Sequence, residues 1–319
     1  MVERVLILGG AGNLACQLSF DLVSAGYDVV LADVAAAPIA SVAQGCGFCR
    51  CDICDRDQLR ELFRQNRPDI ILHFASLLSG KSEQDRQAAW QVNMNGAFAV
   101  FESALEFGVP KVVFPSSLAA FGGELPDAIP EDQATWPTGF YGVTKAAIEK
   151  MGVYYHAVHG LDFRCLRLPI VISEHAPLGA ASAYVSQAFL QLAEQGEFTF
   201  RVREQTQPAL IYVKDVLRAL CMIIEAEPEQ LTRRVYNLYS MSPPAVDVAS
   251  ELQRQFPTAT IRFDPDEQLV RLIESWPSII DDPSSRRDWG WYPMYTLEEM
   301  AADFSTSMFN RVGNAHSSK

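Results

Sequence analysis

The run Gly9-Gly-Ala-Gly-Asn-Leu-Ala15 constrains this chain more than any other segment. It follows the continuous apolar run Val5-Leu-Ile-Leu8 and precedes an apolar pattern of helical period through Leu14, Leu18, Leu22 and Val23. The segment therefore reads as strand, glycine turn, helix. A G-x-x-G-x-x-A turn in that setting lets the backbone approach a pyrophosphate, while the free N–H groups of the following helix and its positive dipole end favour an anion. Gly9, Gly12, Asn13 and Leu14 become candidate cofactor contacts. Ala15 stands where a third glycine serves close helix-to-strand packing, and a methyl group is tolerable there.

The alternation continues along the chain. Gly26 closes the first helix, residues 27–33 form a second buried strand, and a third strand near 48–51 precedes a helix over 56–66. Strands follow at 70–74, 112–115 and 163–168, with long helices over 84–107 and 141–159. Strands alternating with helices predict an α/β fold, a doubly wound parallel sheet covered on both faces. Beyond residue 170, helical patterns at 180–195, 213–226, 245–255 and 297–309 alternate with short strands near Phe198, Leu210, Val235 and Ile261. The expected organisation is a cofactor domain over 1–170, its sheet completed by parts of 209–240. A smaller substrate-binding lobe over 171–312 and a disordered polar tail over 313–319 complete it.

Composition narrows the partners. With 26 basic and 39 acidic residues the net charge is −13, which argues against nucleic acid or an anionic membrane as the main partner. No apolar run approaches the ~18 residues of a membrane span. The apolar stretch at the amino terminus is short and ends in glycines, unlike a signal peptide, so a cytoplasmic location is expected. Cys46, Cys49, Cys51 and Cys54 form a C-x-x-C-x-C-x-x-C cluster. Structural zinc sites separate their ligand pairs by about a dozen residues or more, so buried reduced thiols are expected here and no metal.

Asp33 ends the second strand about twenty residues after the glycines, where a carboxylate accepts hydrogen bonds from adenosine ribose hydroxyls and repels a 2′-phosphate. Val34-Ala-Ala-Ala37 holds no arginine for such a phosphate, so NAD is favoured over NADP. A helix cap or loop aspartate is the structural alternative. Asp52 and Ile53, after the third strand, are candidate adenine contacts. Tyr141 and Lys145 lie four apart on a helix, which stacks them about 5–6 Å apart at Cβ. A cation there favours the phenolate and draws the phenol toward working pH, as a base for an alcohol proton requires. Any amphipathic helix can hold Y-x-x-x-K by chance. Ser116 and Ser117 follow the fifth apolar strand, where a hydroxyl can orient a substrate oxygen, though paired serines are also ordinary turn residues.

In order, the glycine turn, Asp33, Asn93 in Val-Asn-Met-Asn-Gly96, Ser-Ser-Leu-Ala-Ala-Phe-Gly122, Tyr141 with Lys145 and Arg167-Leu-Pro169 resemble the extended short-chain dehydrogenase/reductases, relatives of nucleotide-sugar epimerases. The resemblance implies a Rossmann-type fold, NAD as cofactor, and Ser117, Tyr141 and Lys145 as catalytic residues. It adds Asn93, Leu168, Tyr141 and Lys145 to the cofactor contacts, with support of the active-site backbone or of a proton-relay water as the other role implied for Asn93. Tyr236-Asn-Leu-Tyr-Ser-Met-Ser242, the segment 275–291, and His73-Phe-Ala-Ser-Leu-Leu-Ser79 with Lys81 are similar to one branch, the short-chain-type L-threonine 3-dehydrogenases. That likeness implies NAD-dependent oxidation of the 3-hydroxyl of L-threonine to 2-amino-3-ketobutyrate, or of a closely related small hydroxy acid. It also implies substrate contacts from Ser79, Lys81, Ser116, Ser117, Tyr141, Ser182 and Trp276, and a homodimer built on the helices at 84–107 and 141–159.

The chain departs from that branch at Ala180-Ala-Ser-Ala-Tyr184, where the branch carries Gly-Thr-Thr-Asp-Tyr, and at Ile170, where a glycine is usual. Losing polar partners in a buried site costs about 1–3 kcal/mol per unpaired group, so a related substrate stays open. A nucleotide-sugar 4-epimerase with retained NAD is an alternative. Leu168-Pro-Ile-Val171 and Leu210-Ile-Tyr-Val-Lys-Asp215 do not fit a UDP-sugar clamp, however. A non-catalytic NAD-sensing protein is a third reading, and it needs only the glycine turn and Asp33.

Overall fold

The computed structural model describes residues 2–176 and 181–317. Among the described residues, strands β1 (Arg4–Leu8), β2 (Asp28–Asp33), β3 (Gly47–Arg50), β4 (Ile70–His73) and β5 (Lys111–Ser117) build the first half of the main sheet. Helices α1 (Asn13–Ser24), α2 (Arg56–Asn66), α3 (Ser79–Gln84), α4 (Arg86–Ala89) and α5 (Ala97–Glu106) connect them. A short β6 (Ala128–Ile129) precedes α6 (Phe140–His159), which leads into β7 (Asp162–Leu168) and β8 (Ile170–Ile172). The remainder comprises α7 (Tyr184–Gln195), β9 (Glu197–Phe200), β10 (Leu210–Tyr212), α8 (Val213–Glu225), β11 (Val235–Asn237), α9 (Ala245–Gln255) and β12 (Thr260–Phe263). It closes with α10 (Glu267–Glu274), β13 (Ile279–Ile280), α11 (Pro283–Trp289) and α12 (Leu297–Ser317).

Seven strands of the described residues pair in the order β11-β7-β5-β4-β1-β2-β3, every ladder parallel. Period-two side-chain direction builds both layers. Val5 and Ile7, Val29 and Leu31, and Ile70 and Leu72 enter one core with α1 and α8. Leu6 and Leu8, Val30 and Ala32, and Ile71 enter the other with α2, α5 and α6. The strand order reverses between β1 and β4, which opens the crevice at the carboxyl ends of those strands where such sheets bind ligands. The sheet is thus the Rossmann-type arrangement expected.

Some boundaries moved. The helix expected over 84–107 is broken: α3 and α4 meet at Asp85, and a π-helical turn at Trp90–Gly96 separates α4 from α5. From 209–240, β11 joins the main sheet, whereas β10 pairs with β8 in a two-stranded sheet of its own. The last helix runs to Ser317, through positions expected as a disordered tail.

Candidate active site

The glycine turn is forced by the close approach of the segment that follows β4, the parallel neighbour of β1. Gly9 holds φ +80°, and a Cβ there would lie 2.5 Å from the Ala75 backbone nitrogen. Only glycine satisfies both demands. Gly12 caps α1 without a side-chain bond, and the first turn carries no acidic residue, so the N–H groups at this helix end stay available to an anion. Asn13 donates to Ser173 Oγ at 2.8 Å, and Leu14 packs on the core. Asp33 holds the turn through Oδ2, which accepts from Ala11 N at 3.0 Å, while Oδ1 accepts from Ala35 N at 2.9 Å. The Asp33 carbonyl accepts from Cys51 N at 2.8 Å, which sets Asp52 and the buried Ile53 beyond the carboxyl end of β3, close in the chain to this bond. Arg50, the register partner of Asp33, donates to Val34 O at 3.3 Å, a basic neighbour that residues 34–37 alone do not disclose. The cradle, the uncapped helix end and the carboxylate fit NAD.

Ser117 ends β5, and its Oγ accepts from Ala119 N at 3.2 Å, which fixes the turn over Leu118–Ala120. That turn lies against the first turn of α6 so closely that a Cβ on Gly142 would sit 1.9 Å from Ala119 O. The contact sets the turn that follows Ser117 against the helix turn that carries Tyr141. Lys145 is buried, with Nζ donating to Pro115 O at 2.8 Å and lying 4.3 Å from the Phe114 ring centroid and 5.5 Å from that of Tyr141. Burial pulls the lysine down to about 8 and pushes the half-buried Tyr141 phenol up. Desolvation is the cause of the rise in the phenol, and the lysine's own hydrogen bond goes to a backbone carbonyl.

Ser116 and Asn93 are both engaged within the protein. Ser116, expected beside the substrate, is buried and donates its Oγ to Glu149, because the inward position of the strand faces α6. Asn93, expected at the cofactor or as a support for the active-site backbone or a relay water, has its carboxamide engaged in the core. Oδ1 accepts from Leu77 N at 2.7 Å, and Nδ2 donates to Leu77 O and Thr144 Oγ1, each at 3.1 Å. The π-helical turn pushes this residue inward, where it braces the segment before α3 against α6.

Ser79 and Lys81 are exposed on α3, which packs near the start of α6 through Phe140 N donating to Glu83 Oε1. Leu168 is buried at the end of β7. Trp276 is half-buried against the core before β13. Ser182 is half-buried in a 3-10 turn at Ala181–Ala183, and Ala180 lies outside the described residues. Cys46 packs on one face of the sheet and Cys49, Cys51 and Cys54 on the other, with burial pushing the Cys51 and Cys54 thiols up to about 11. Among the described residues no three His, Cys, Asp or Glu side chains gather as metal ligands, and no helix is long and apolar enough to cross a membrane.

Sequence reasoning assigned no role to Gly142, Glu149 or His73. Glu149 is visible as a carboxylate four residues beyond Lys145 on a helix face otherwise buried, and Gly142 as a glycine inside a helix. His73 is buried at the end of β4 with both ring nitrogens unpartnered, beside the Phe114 ring at 5.8 Å.

Comparison with known proteins agrees with this geometry. The L-threonine 3-dehydrogenase of Bos taurus mitochondria is 35% identical over 316 residues, covering 98% of this chain and 83% of that protein. The L-threonine dehydrogenase structure from Clostridium difficile superposes with a TM-score of 0.91 at 28% identity, over 97% of this chain and 98% of that one. A monomeric L-threonine 3-dehydrogenase from a metagenome gives 0.88 at 27% identity, over 95% and 98%. UDP-glucose 4-epimerase from Thermotoga maritima gives 0.86 at 22% identity, over 97% and 99%, a likeness of fold alone. The family described as NAD dependent epimerase/dehydratase matches residues 5–238. That match runs through the whole parallel sheet from β1 to β11, and the chain belongs to this family.

Proposed function

We propose that the chain is an NAD-dependent dehydrogenase that oxidises the 3-hydroxyl of L-threonine to 2-amino-3-ketobutyrate. The observation that supports the reading is the packing of the first turn of α6 on the turn after Ser117, with Lys145 bonded to the Pro115 carbonyl of β5 and 5.5 Å from the Tyr141 ring. Near full-length similarity to proteins named as L-threonine dehydrogenases supports the substrate. NAD, when bound, would supply the hydride acceptor for the carbinol carbon. Tyr141 takes the hydroxyl proton, Ser117 donates a hydrogen bond to the reacting oxygen, and Lys145 holds positive charge beside the phenol and would hold the nicotinamide ribose. Gly9, Gly12 and the start of α1 would hold the pyrophosphate, and Asp33 the adenosine ribose. Ser79, Lys81, Ser182 and Trp276 form the proposed substrate shell.

The assay is NADH formation with L-threonine, L-serine, 3-hydroxybutyrate and small polyols. Turnover of L-threonine above the others supports the reading; strong turnover of another alcohol with none of L-threonine moves the substrate. Interconversion of a UDP-sugar without net NADH would return the epimerase alternative.

A homodimer belongs to the same proposal. Val143, Tyr154 and Val158 form an exposed apolar stripe along α6, near the exposed Trp90 and Phe98. Seven free cysteines are compatible with a reducing compartment, in keeping with a cytoplasmic location that cell fractionation tests.

A further inference from the structure

Tyr141, Lys145 and Glu149 occupy three successive turns of one face of α6. Glu149 is buried, yet its carboxylate is fully engaged. Oε1 accepts from Ser116 Oγ and from Arg167 Nε at 3.0 Å, and Oε2 accepts from Arg167 Nη2 at 2.7 Å. Arg167 is in turn fixed by Nη1 donating to Asn237 Oδ1 at 3.3 Å and by the Phe121 ring 4.6 Å beneath its guanidinium. This is a buried fork between α6 and β7, closed from β11 and from the turn after β5.

Its placement relative to Ser117 matters most. Lys145 grips the carbonyl of Pro115 and Glu149 grips the hydroxyl of Ser116, so consecutive residues of β5 are tied to the active-site helix just before Ser117. On the reading of Tyr141, Lys145 and Ser117 given above, we infer that Glu149 is a positioning residue for the oxidation, holding the strand end that presents Ser117 and keeping the Lys145 ammonium charged. Cys165 also faces Lys145, but burial holds its thiol protonated, which leaves Glu149 as the carboxylate on this cluster.

The electrostatics follow from the groups that face the pair. Lys145 and Arg167 contribute two positive charges and Glu149 one negative charge, while the buried His73 and Cys165 stay neutral. The cluster therefore carries one net positive charge near Tyr141, which opposes the burial that holds the phenol up. Without the carboxylate two cations would share a desolvated site. Arginine does not release its proton in proteins, so Lys145, already drawn down to about 8 by burial, would be the group to deprotonate.

The test is Glu149→Gln, which keeps size and an acceptor but removes the charge, assayed with L-threonine and NAD across pH and by nitrogen-detected NMR of the lysine ammonium groups. The alkaline limb of kcat/KM and the Lys145 titration should both move down by about one pH unit or more. A lower rate with both unmoved would show a merely structural carboxylate and overturn the inference. Glu149→Asp retains the charge and should leave the limb at its wild-type position while kcat falls; a limb that moves with it as far as in Glu149→Gln also overturns it. If Glu149→Gln does not fold, Ser116→Ala tests the tether, with about a tenfold loss of kcat expected, and an unchanged kcat contradicting the role. Tyr141→Phe run in parallel separates the two proposals. Full turnover by that variant defeats the catalytic reading, whereas its inactivity with an unmoved Glu149→Gln limb defeats only the role of Glu149.

Discussion

His73 shows how the site handles desolvation at the residue scale. Burial, with the positive charge of Lys145 nearby, lowers its imidazole from 6.5 to about 3, so the ring is neutral at working pH. Between those two values the unfolded chain binds a proton that the folded chain does not. Stability therefore falls as pH drops through that window, by at most about 1.4 kcal/mol per pH unit. His73→Leu should flatten this part of the acid limb of a urea-denaturation series against pH. A series parallel to wild type would show that another group sets the acid sensitivity. The same burial acts on Lys145, whose ammonium is held against its solvation preference.

Among the elements, the first turn of α6 and the end of β5 are joined by a contact that tolerates no side-chain carbon at Gly142. Gly142→Ala should lower stability by about 1–3 kcal/mol through overpacking and lower kcat up to about a hundredfold by displacing Tyr141 from Ser117. Thermal unfolding together with steady-state kinetics reads both; a stable variant of wild-type rate would show that the two elements separate freely. Much of this scale was legible in the chain. The alternating core runs of β1, β2 and β4 announced themselves because a strand buried on both faces leaves a continuous apolar signature. The π-helical turn at Trp90–Gly96 was not legible, since its composition is that of an ordinary helix and only the inward pull of Asn93 on Leu77 and Thr144 reveals it. Ser116 was misplaced for a similar reason. Which of two adjacent serines faces inward depends on strand register against a helix far away in sequence.

For the whole molecule, the sheet order places every cofactor candidate from β1, β2 and β3 on one side of the crevice and Ser117, Tyr141 and Lys145 on the other. The outer face of α6 keeps Val143, Tyr154 and Val158 at 40%, 54% and 58% exposure, an apolar stripe that a second copy would cover. Light scattering should give a dimer for the wild type and a monomer for the Tyr154→Glu, Val158→Glu double variant. A monomeric wild type would refute the dimer and leave the chemistry untouched, as the monomeric relative illustrates. NAD at a hundred times its dissociation constant should raise stability by about 2.7 kcal/mol, and Asp33→Ala should remove most of that gain at the same NAD concentration in a thermal shift titration. The account turns on the proton taken by Tyr141, and its most direct test is L-threonine-dependent NADH formation by wild type and Tyr141→Phe under identical conditions. The account predicts turnover by the wild type and a loss of about a hundredfold or more in the variant with its fold intact; equal rates from the two proteins would contradict it.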